Sequence, residues 1–291
     1  MEHLTRLPAH VTPHSLSASR NAMDTNIDGT HHAYTDRGTG TPVVLLHAFP
    51  LNRSMWDAQV AFLSQGFRVI AIDLRGHGDS KLFSTPYTLD DLATDIKELL
   101  DSLDIQQAVF AGLSMGGYIL FAFYRLFPAR VKGLILADTR AQADAADERA
   151  GRLQMIRTAE TQGPQAIADI MLPRLLSPGT IAVRSDLVSK VRAMIVNNSP
   201  ETIVADLYAM IDRANSIPSL SQIACPTLII VGELDRGTPP SDAQFMAKHI
   251  TGARLAVLAE AAHLSNLENP EAFNTAMHAF LNEIGQGDSR L

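Results

Sequence analysis

Gly112-Leu113-Ser114-Met115-Gly116, followed at once by Gly117, is the stretch on which the reading of this chain turns. Before it lies Gln107-Ala108-Val109-Phe110-Ala111, a short apolar run of β character. After it, residues 118–126 are apolar and periodic enough for a helix that stops at Pro128. A serine between two glycines at a strand-to-helix junction spells a nucleophile elbow. So tight a turn requires a strained backbone at Ser114, and the positions two before and two after it pass too close to neighbours to carry a Cβ. The strain lifts the hydroxyl clear of the sheet. The N–H groups that open the following helix then face the place where an anion would form.

Strands and helices alternate outward from the elbow. Pro42-Val43-Val44-Leu45-Leu46-His47 is a continuous apolar run, as expected of a strand buried on both faces of a parallel sheet. Residues 67–74, 131–137 and 226–232 read the same way, and 253–258 reads as a further strand. A hairpin is expected over 25–35 with its turn at Asp28-Gly29, a helix over 54–65 with Ser54 as N-cap, and an amphipathic helix over 88–103 with Asp90 and Asp91 in its first turn. From 140 to 217 the alternation stops. Helical patterns broken at Gly163-Pro164, Pro173, Ser177-Pro178-Gly179 and Ser199-Pro200 fill that interval. The expectation is an α/β fold with a mostly parallel sheet flanked by helices. Residues 1–23 form a flexible leader, 24–139 and 218–291 the core, and 140–217 an inserted helical cap.

At 291 residues the chain is long enough to bury a large core without disulfide or metal. The single Cys225 can form neither an intrachain bridge nor a zinc site, and reads as a small buried hydrophobe. A net charge of −7, mild and unclustered, speaks against nucleic acid and anionic membrane surfaces as partners. The first residues lack the basic start and apolar core of a signal peptide, and no apolar run reaches the length of a membrane span. A cytoplasmic protein is expected. Its oligomeric state is not set by the sequence.

A serine hydroxyl needs a base, and the base needs an orienting group. Sheets of this kind carry their sites at the carboxyl ends of the strands, so both partners belong on loops after later strands. Gly232-Glu233-Leu234-Asp235 follows one such strand and Ala262-His263 another, giving the chain order Ser114, Asp235, His263. Asp138, which ends the strand 131–137, is the rival acid. Elsewhere the expected roles are structural. His47 is a hydrogen-bonder behind the loop it opens, His77 a loop anchor, Asp73 a fastener of the following loop, and Trp56 a packing residue. His249 and His278 are surface residues on helices. Met155, Met171, Met194 and Met210, with their apolar neighbours in the cap, are core residues of which some face a cleft.

On these motifs the chain, over about residues 24–285, resembles the α/β-hydrolase superfamily. His47-Ala48-Phe49 is similar to that family's His-Gly-x loop, with Ala48 in place of glycine, and Ala262 likewise precedes His263 where glycine is usual. The resemblance implies an oxyanion hole formed by the backbone N–H groups of Phe49 and Met115, and no cofactor or metal. His-Ala-Phe-Pro-Leu, Met55-Trp56-Asp57 and Gly-Leu-Ser-Met-Gly-Gly look like small carboxylesterases, 3-oxoadipate enol-lactonases and cofactor-free perhydrolases. Ser114 speaks against the dehalogenases and epoxide hydrolases, which carry aspartate there. The expected activity is hydrolysis of small to medium carboxylic esters through an acyl-enzyme. Lactone hydrolysis and perhydrolysis are alternatives, and a non-catalytic ligand receptor is the reading from another class.

Overall fold

The computed structural model describes residues 22–27, 30–83 and 85–288. Strands β1 (Ala22–Ile27) and β2 (Thr30–Arg37) form the expected hairpin. Its turn at Asp28-Gly29 lies outside the described residues, as does the leader up to residue 21, whereas Ala22 and Met23 belong to β1. β3 (Pro42–Leu46) leads through a one-turn 3-10 segment, Arg53–Trp56, into α1 (Asp57–Leu63) and β4 (Arg68–Ile72). The cap of that turn is Asn52 rather than Ser54. Asn52 is extended (φ −149°), and its side-chain oxygen accepts from the Ser54 N–H at 3.0 Å. The helical geometry thus starts one residue before the serine, which already lies inside the turn.

Next come α2 (Leu89–Ser102), β5 (Ala108–Leu113), α3 (Met115–Leu126) and β6 (Val131–Ala137). α2 opens with a reciprocal cap between Thr88 and Asp91. Four helices then intervene: α4 (Ala146–Leu175), α5 (Pro178–Val183), α6 (Ser185–Val196) and α7 (Pro200–Ile211). α4 is bent where the sequence breaks, because Gly163 takes φ 74° just before Pro164. The alternation resumes with β7 (Thr227–Gly232), α8 (Pro240–His249), β8 (Arg254–Leu258), α9 (Ser265–Glu268) and α10 (Pro270–Asp288).

The eight strands form one sheet in the order β1-β2-β4-β3-β5-β6-β7-β8. The β1–β2 and β2–β4 pairings are antiparallel, and the strands from β4 to β8 run parallel. Chain order reverses at β3: β4 lies on one side of it and β5 on the other. A crevice at the carboxyl ends of β3 and β5 follows, the usual place for a ligand in an open α/β sheet. β3 and β5 are almost wholly buried, consistent with helices on both faces.

The inserted helices are tied to the sheet by buried polar groups. Asp206 of α7 and His77, in the loop after β4, form an ion pair at 3.0 Å with neither side chain exposed, and Tyr87 donates its hydroxyl to the other Asp206 oxygen at 2.7 Å. Burial alone would lower the pKa of His77. The Asp206 carboxylate outweighs that and raises it. The pair's contribution is therefore complete below the ordinary histidine pKa and is lost as pH rises through the raised one. Asp206→Ala strands a buried imidazole without its counter-charge and should cost about 3–5 kcal/mol. Urea unfolding at about pH 6, below the ordinary histidine pKa, measures this, and a loss below about 1 kcal/mol, the worth of an exposed pair, would show that the clamp carries little.

Candidate functional site

Ser114 sits between β5 and α3 at φ 55°, ψ −111°, a conformation that side chains rarely adopt. Its neighbours explain how the chain tolerates it. A Cβ on Gly112 would stand 2.4 Å from the Gly116 carbonyl, and one on Gly116 would stand 2.4 Å from the Leu46 carbonyl oxygen of β3. Both approaches exclude every residue but glycine. The turn is then held by Ser114 N–H donating to Ala137 at 3.0 Å and by the Thr139 hydroxyl donating to the Ser114 carbonyl at 2.9 Å.

From this position Ser114 Oγ lies 2.8 Å from His263 Nε2, and His263 Nδ1 lies 2.8 Å from Asp235 Oδ2. The carboxylate can only accept, so the ring proton resides on Nδ1 and Nε2 is left to accept from the serine. Asp235 also accepts the Gly237 and Thr238 N–H groups at 2.8 and 3.1 Å, and the Thr238 hydroxyl at 2.7 Å. Burial would raise its pKa, but His263 and these donors reverse the sign and hold it below the usual carboxylate range. For His263 burial works downward, and the Asp235 charge and hydrogen bond prevail, so its pKa is raised.

Asp138 lies close by but is engaged differently. It is fully buried, one oxygen accepts Gly232 N–H at 2.8 Å, and the other takes the Ser265 hydroxyl. Burial, then the neighbouring Asp235 charge, push it well above the normal range. Two carboxyls beside one imidazole cannot both ionise cheaply, and here the negative charge falls on Asp235.

Phe49, which follows β3, borders the same cavity as Ser114 and His263. Met115 is the first residue of α3, so its N–H has no acceptor within the helix. The cavity measures about 610 Å³, within the usual range of small-molecule sites. Met155, Met171 and Met210 from the inserted helices line it. Met194 instead borders a separate surface cleft.

The other residues singled out in the sequence are structural. His47 donates Nδ1–H to the Ala48 carbonyl and accepts Leu74 N–H at Nε2, both at 3.0 Å. Burial holds its pKa well below the ordinary value, so it is neutral. Asp73 accepts the N–H groups of Arg53 and Asp79 at 2.7 and 2.9 Å, and Trp56 packs on Phe273. His249 and His278 are exposed. Burial raises the Cys225 thiol to about 11. Sequence reasoning missed Thr238 and Ser265. Asp235 marks a side-chain turn through the Gly237 N–H, but nothing in the sequence marks the Thr238 hydroxyl as its partner. Nothing local marks Ser265.

A family model described as "alpha/beta hydrolase fold" matches residues 41–270. The chain belongs to that family. It is similar to 3-oxoadipate enol-lactonase 2 of Acinetobacter baylyi, 36% identical over 239 residues that span 82% of this chain and 88% of that protein. Among solved structures, a thermophilic esterase from Thermogutta terrifontis (malate bound) superposes with a TM-score of 0.86 at 37% identity, covering 90% of this chain and 98% of that one. An enol-lactonase from Burkholderia xenovorans gives 0.84 at 31% identity, covering 89% and 100%. This α/β hydrolase is thus a hydrolytic enzyme by family. Among its described residues no helix is long and apolar enough to cross a membrane.

Proposed function

We propose that this α/β hydrolase is a serine esterase acting on small to medium carboxylic esters, with Ser114 as nucleophile, His263 as base and acid, and Asp235 as orienting carboxylate. One observation carries the reading: the unbroken line from Ser114 Oγ through His263 to Asp235, at 2.8 Å per contact, opening on the cavity. Ser114 Oγ attacks the ester carbonyl carbon while its proton passes to His263 Nε2. The carbonyl oxygen becomes an oxyanion opposite the N–H groups of Phe49 and Met115. As the intermediate collapses, the bond to the alcohol oxygen breaks and the imidazolium protonates it. Water then gives a proton to His263 and attacks the acyl carbon, and Ser114 leaves with that proton as the acid is released. Water is the sole co-substrate.

Residues 140–217 are the cap in this reading, and the three methionines make an apolar, adaptable wall for the acyl or alcohol group. A cytoplasmic setting belongs to the same proposal, in keeping with a lone unpaired cysteine. Lactone hydrolysis is the second reading, favoured by the likeness to 3-oxoadipate enol-lactonase 2. The steps are the same, with the alcohol remaining tethered to the acyl group.

Ser114→Ala should lower kcat by on the order of 10⁶. A fluorophosphonate should modify wild type once, at Ser114, as read by peptide mass spectrometry. Substantial esterase activity in the pure alanine variant would overturn the mechanism. Asp235→Asn should cost roughly 10⁴ in kcat through the wrong imidazole tautomer, and Asp138→Asn about tenfold. The reverse ranking moves the acid to Asp138. Because the base must be neutral and its pKa is raised, kcat/KM should climb with pH through an apparent pKa above the ordinary 6.5 of histidine. A midpoint below 6.5 in a pH–rate profile would contradict the assignment of His263.

A further inference from the structure

In a protein of net charge −7, four arginines border the cavity that holds Ser114 and His263: Arg140, Arg152, Arg174 and Arg236. They fall into two groups. Arg140 is bound to Glu148 at 2.5 Å, and Arg152 to Asp144 at 2.6 Å. Asp144 has no exposed side-chain surface and holds Arg213 as well, also at 2.6 Å. These charges are locked into the wall. Arg174, in the last turn of α4, and Arg236, next to Asp235 in the loop after β7, are exposed and make no ion pair among the described residues.

We infer that Arg174 and Arg236 form a subsite for an anionic group, so that the preferred ester or lactone carries a carboxylate away from the scissile bond. The inference rests on the esterase reading of the same site and deepens it. Guanidinium groups present fixed pairs of N–H donors matched to a carboxylate. One arginine comes from the inserted helices and the other from the loop of Asp235, so an anion in the cavity is offered donors from two separate elements. Two carboxylates, Asp147 and Glu148, border the same cavity. Glu148 is occupied by Arg140, and Asp147 lies in the first turn of α4, on the other side of the Gly163 bend from Arg174. With Arg140 and Arg152 offset by Glu148 and Asp144, Arg174 and Arg236 face Asp147 as the remaining acid of the lining, and an excess of one sign in a low-dielectric cleft concentrates ligands of the other. A neutral ester gains nothing from that field.

The test compares monoethyl glutarate with ethyl valerate, whose acyl chains have equal length and end in a carboxylate and a methyl group. Hydrolysis is followed by acid release at constant pH. The ratio of kcat/KM for the anionic over the neutral ester should fall roughly tenfold in R174Q/R236Q, and R174K/R236K should recover part of it. Added salt should depress the ratio in wild type and leave it flat in the glutamine variant. A ratio unchanged within about twofold, or equal salt sensitivity in both proteins, overturns the subsite. A second arm does not depend on turnover: calorimetric binding of monoethyl glutarate to Ser114→Ala, with and without the two glutamines. Weaker binding with the glutamines supports the subsite even where Ser114 proves not to be the nucleophile. Equal binding rejects it even where the esterase mechanism stands.

Discussion

The close approach of α3 to β3 is the constraint on which the site depends. Gly116 presses against the Leu46 carbonyl, and Gly112 against Gly116 itself. Only that packing lets the chain reverse within one residue and leave Ser114 at φ 55°. Such a backbone costs on the order of 1–3 kcal/mol and survives only when its surroundings over-determine it. Here they do. The Ser114 N–H, its carbonyl, and the glycines on both sides are each fixed by groups from β3, β6, the residues just after β6, or α3. The hydroxyl is consequently delivered to one point above the sheet edge, and Nε2 of His263 meets it there.

The electrostatics follow from the same crowding. Asp138 and Asp235 end neighbouring strands or begin their loops, and both act on one imidazole. Four donors converge on Asp235, which stays charged. Asp138 has fewer donors and deeper burial, which push its pKa up. Its work is geometric. By gripping Gly232 N–H and the Ser265 hydroxyl it ties the start of the loop of Asp235 to the segment after His263.

What the sequence made legible and what it hid divide along contact range. The elbow is local: a strand, a turn and a helix within twenty residues, with glycine demanded at fixed offsets. Asp235 and His263 could be picked out because each follows a short apolar run that reads as a strand, and sheet topology puts such loops on one edge; β7 is buried, whereas β8 closes the sheet and is largely exposed. The N-cap went to Asn52 rather than Ser54 because a 3-10 turn precedes α1, and such turns leave no periodic mark. Partners far apart in the chain were hidden. His77 read as a loop anchor, which it is, but nothing around it names Asp206. The Asp144–Arg213 and Asp138–Ser265 contacts lay equally out of reach, since pairing across more than sixty residues has no spacing to read. Of the apolar residues between 140 and 217, periodicity could not separate those facing the cavity from those facing each other.

Those hidden contacts also decide how the inserted helices relate to the site. Asn198 donates to the Pro50 carbonyl at 2.7 Å, one residue from Phe49. Glu268 accepts Ser177 N–H at 2.8 Å with one oxygen and Ala262 N–H at 2.6 Å with the other, one residue from His263. Leu264 N–H donates to the Leu175 carbonyl at 3.1 Å, and Asp206 holds His77. Each hydrogen bond is worth only about 0.5–1.5 kcal/mol net, yet a partner buried without its mate costs more than that. Swinging the whole insertion away would break the contacts of Asn198, Ser177, Leu175 and Asp206 together. The insertion therefore behaves as part of the scaffold, and three loops of the sheet edge take their positions from it. A substitution within residues 140–217 can reach Ser114 through those loops, by shifting Phe49 or His263, without touching the serine.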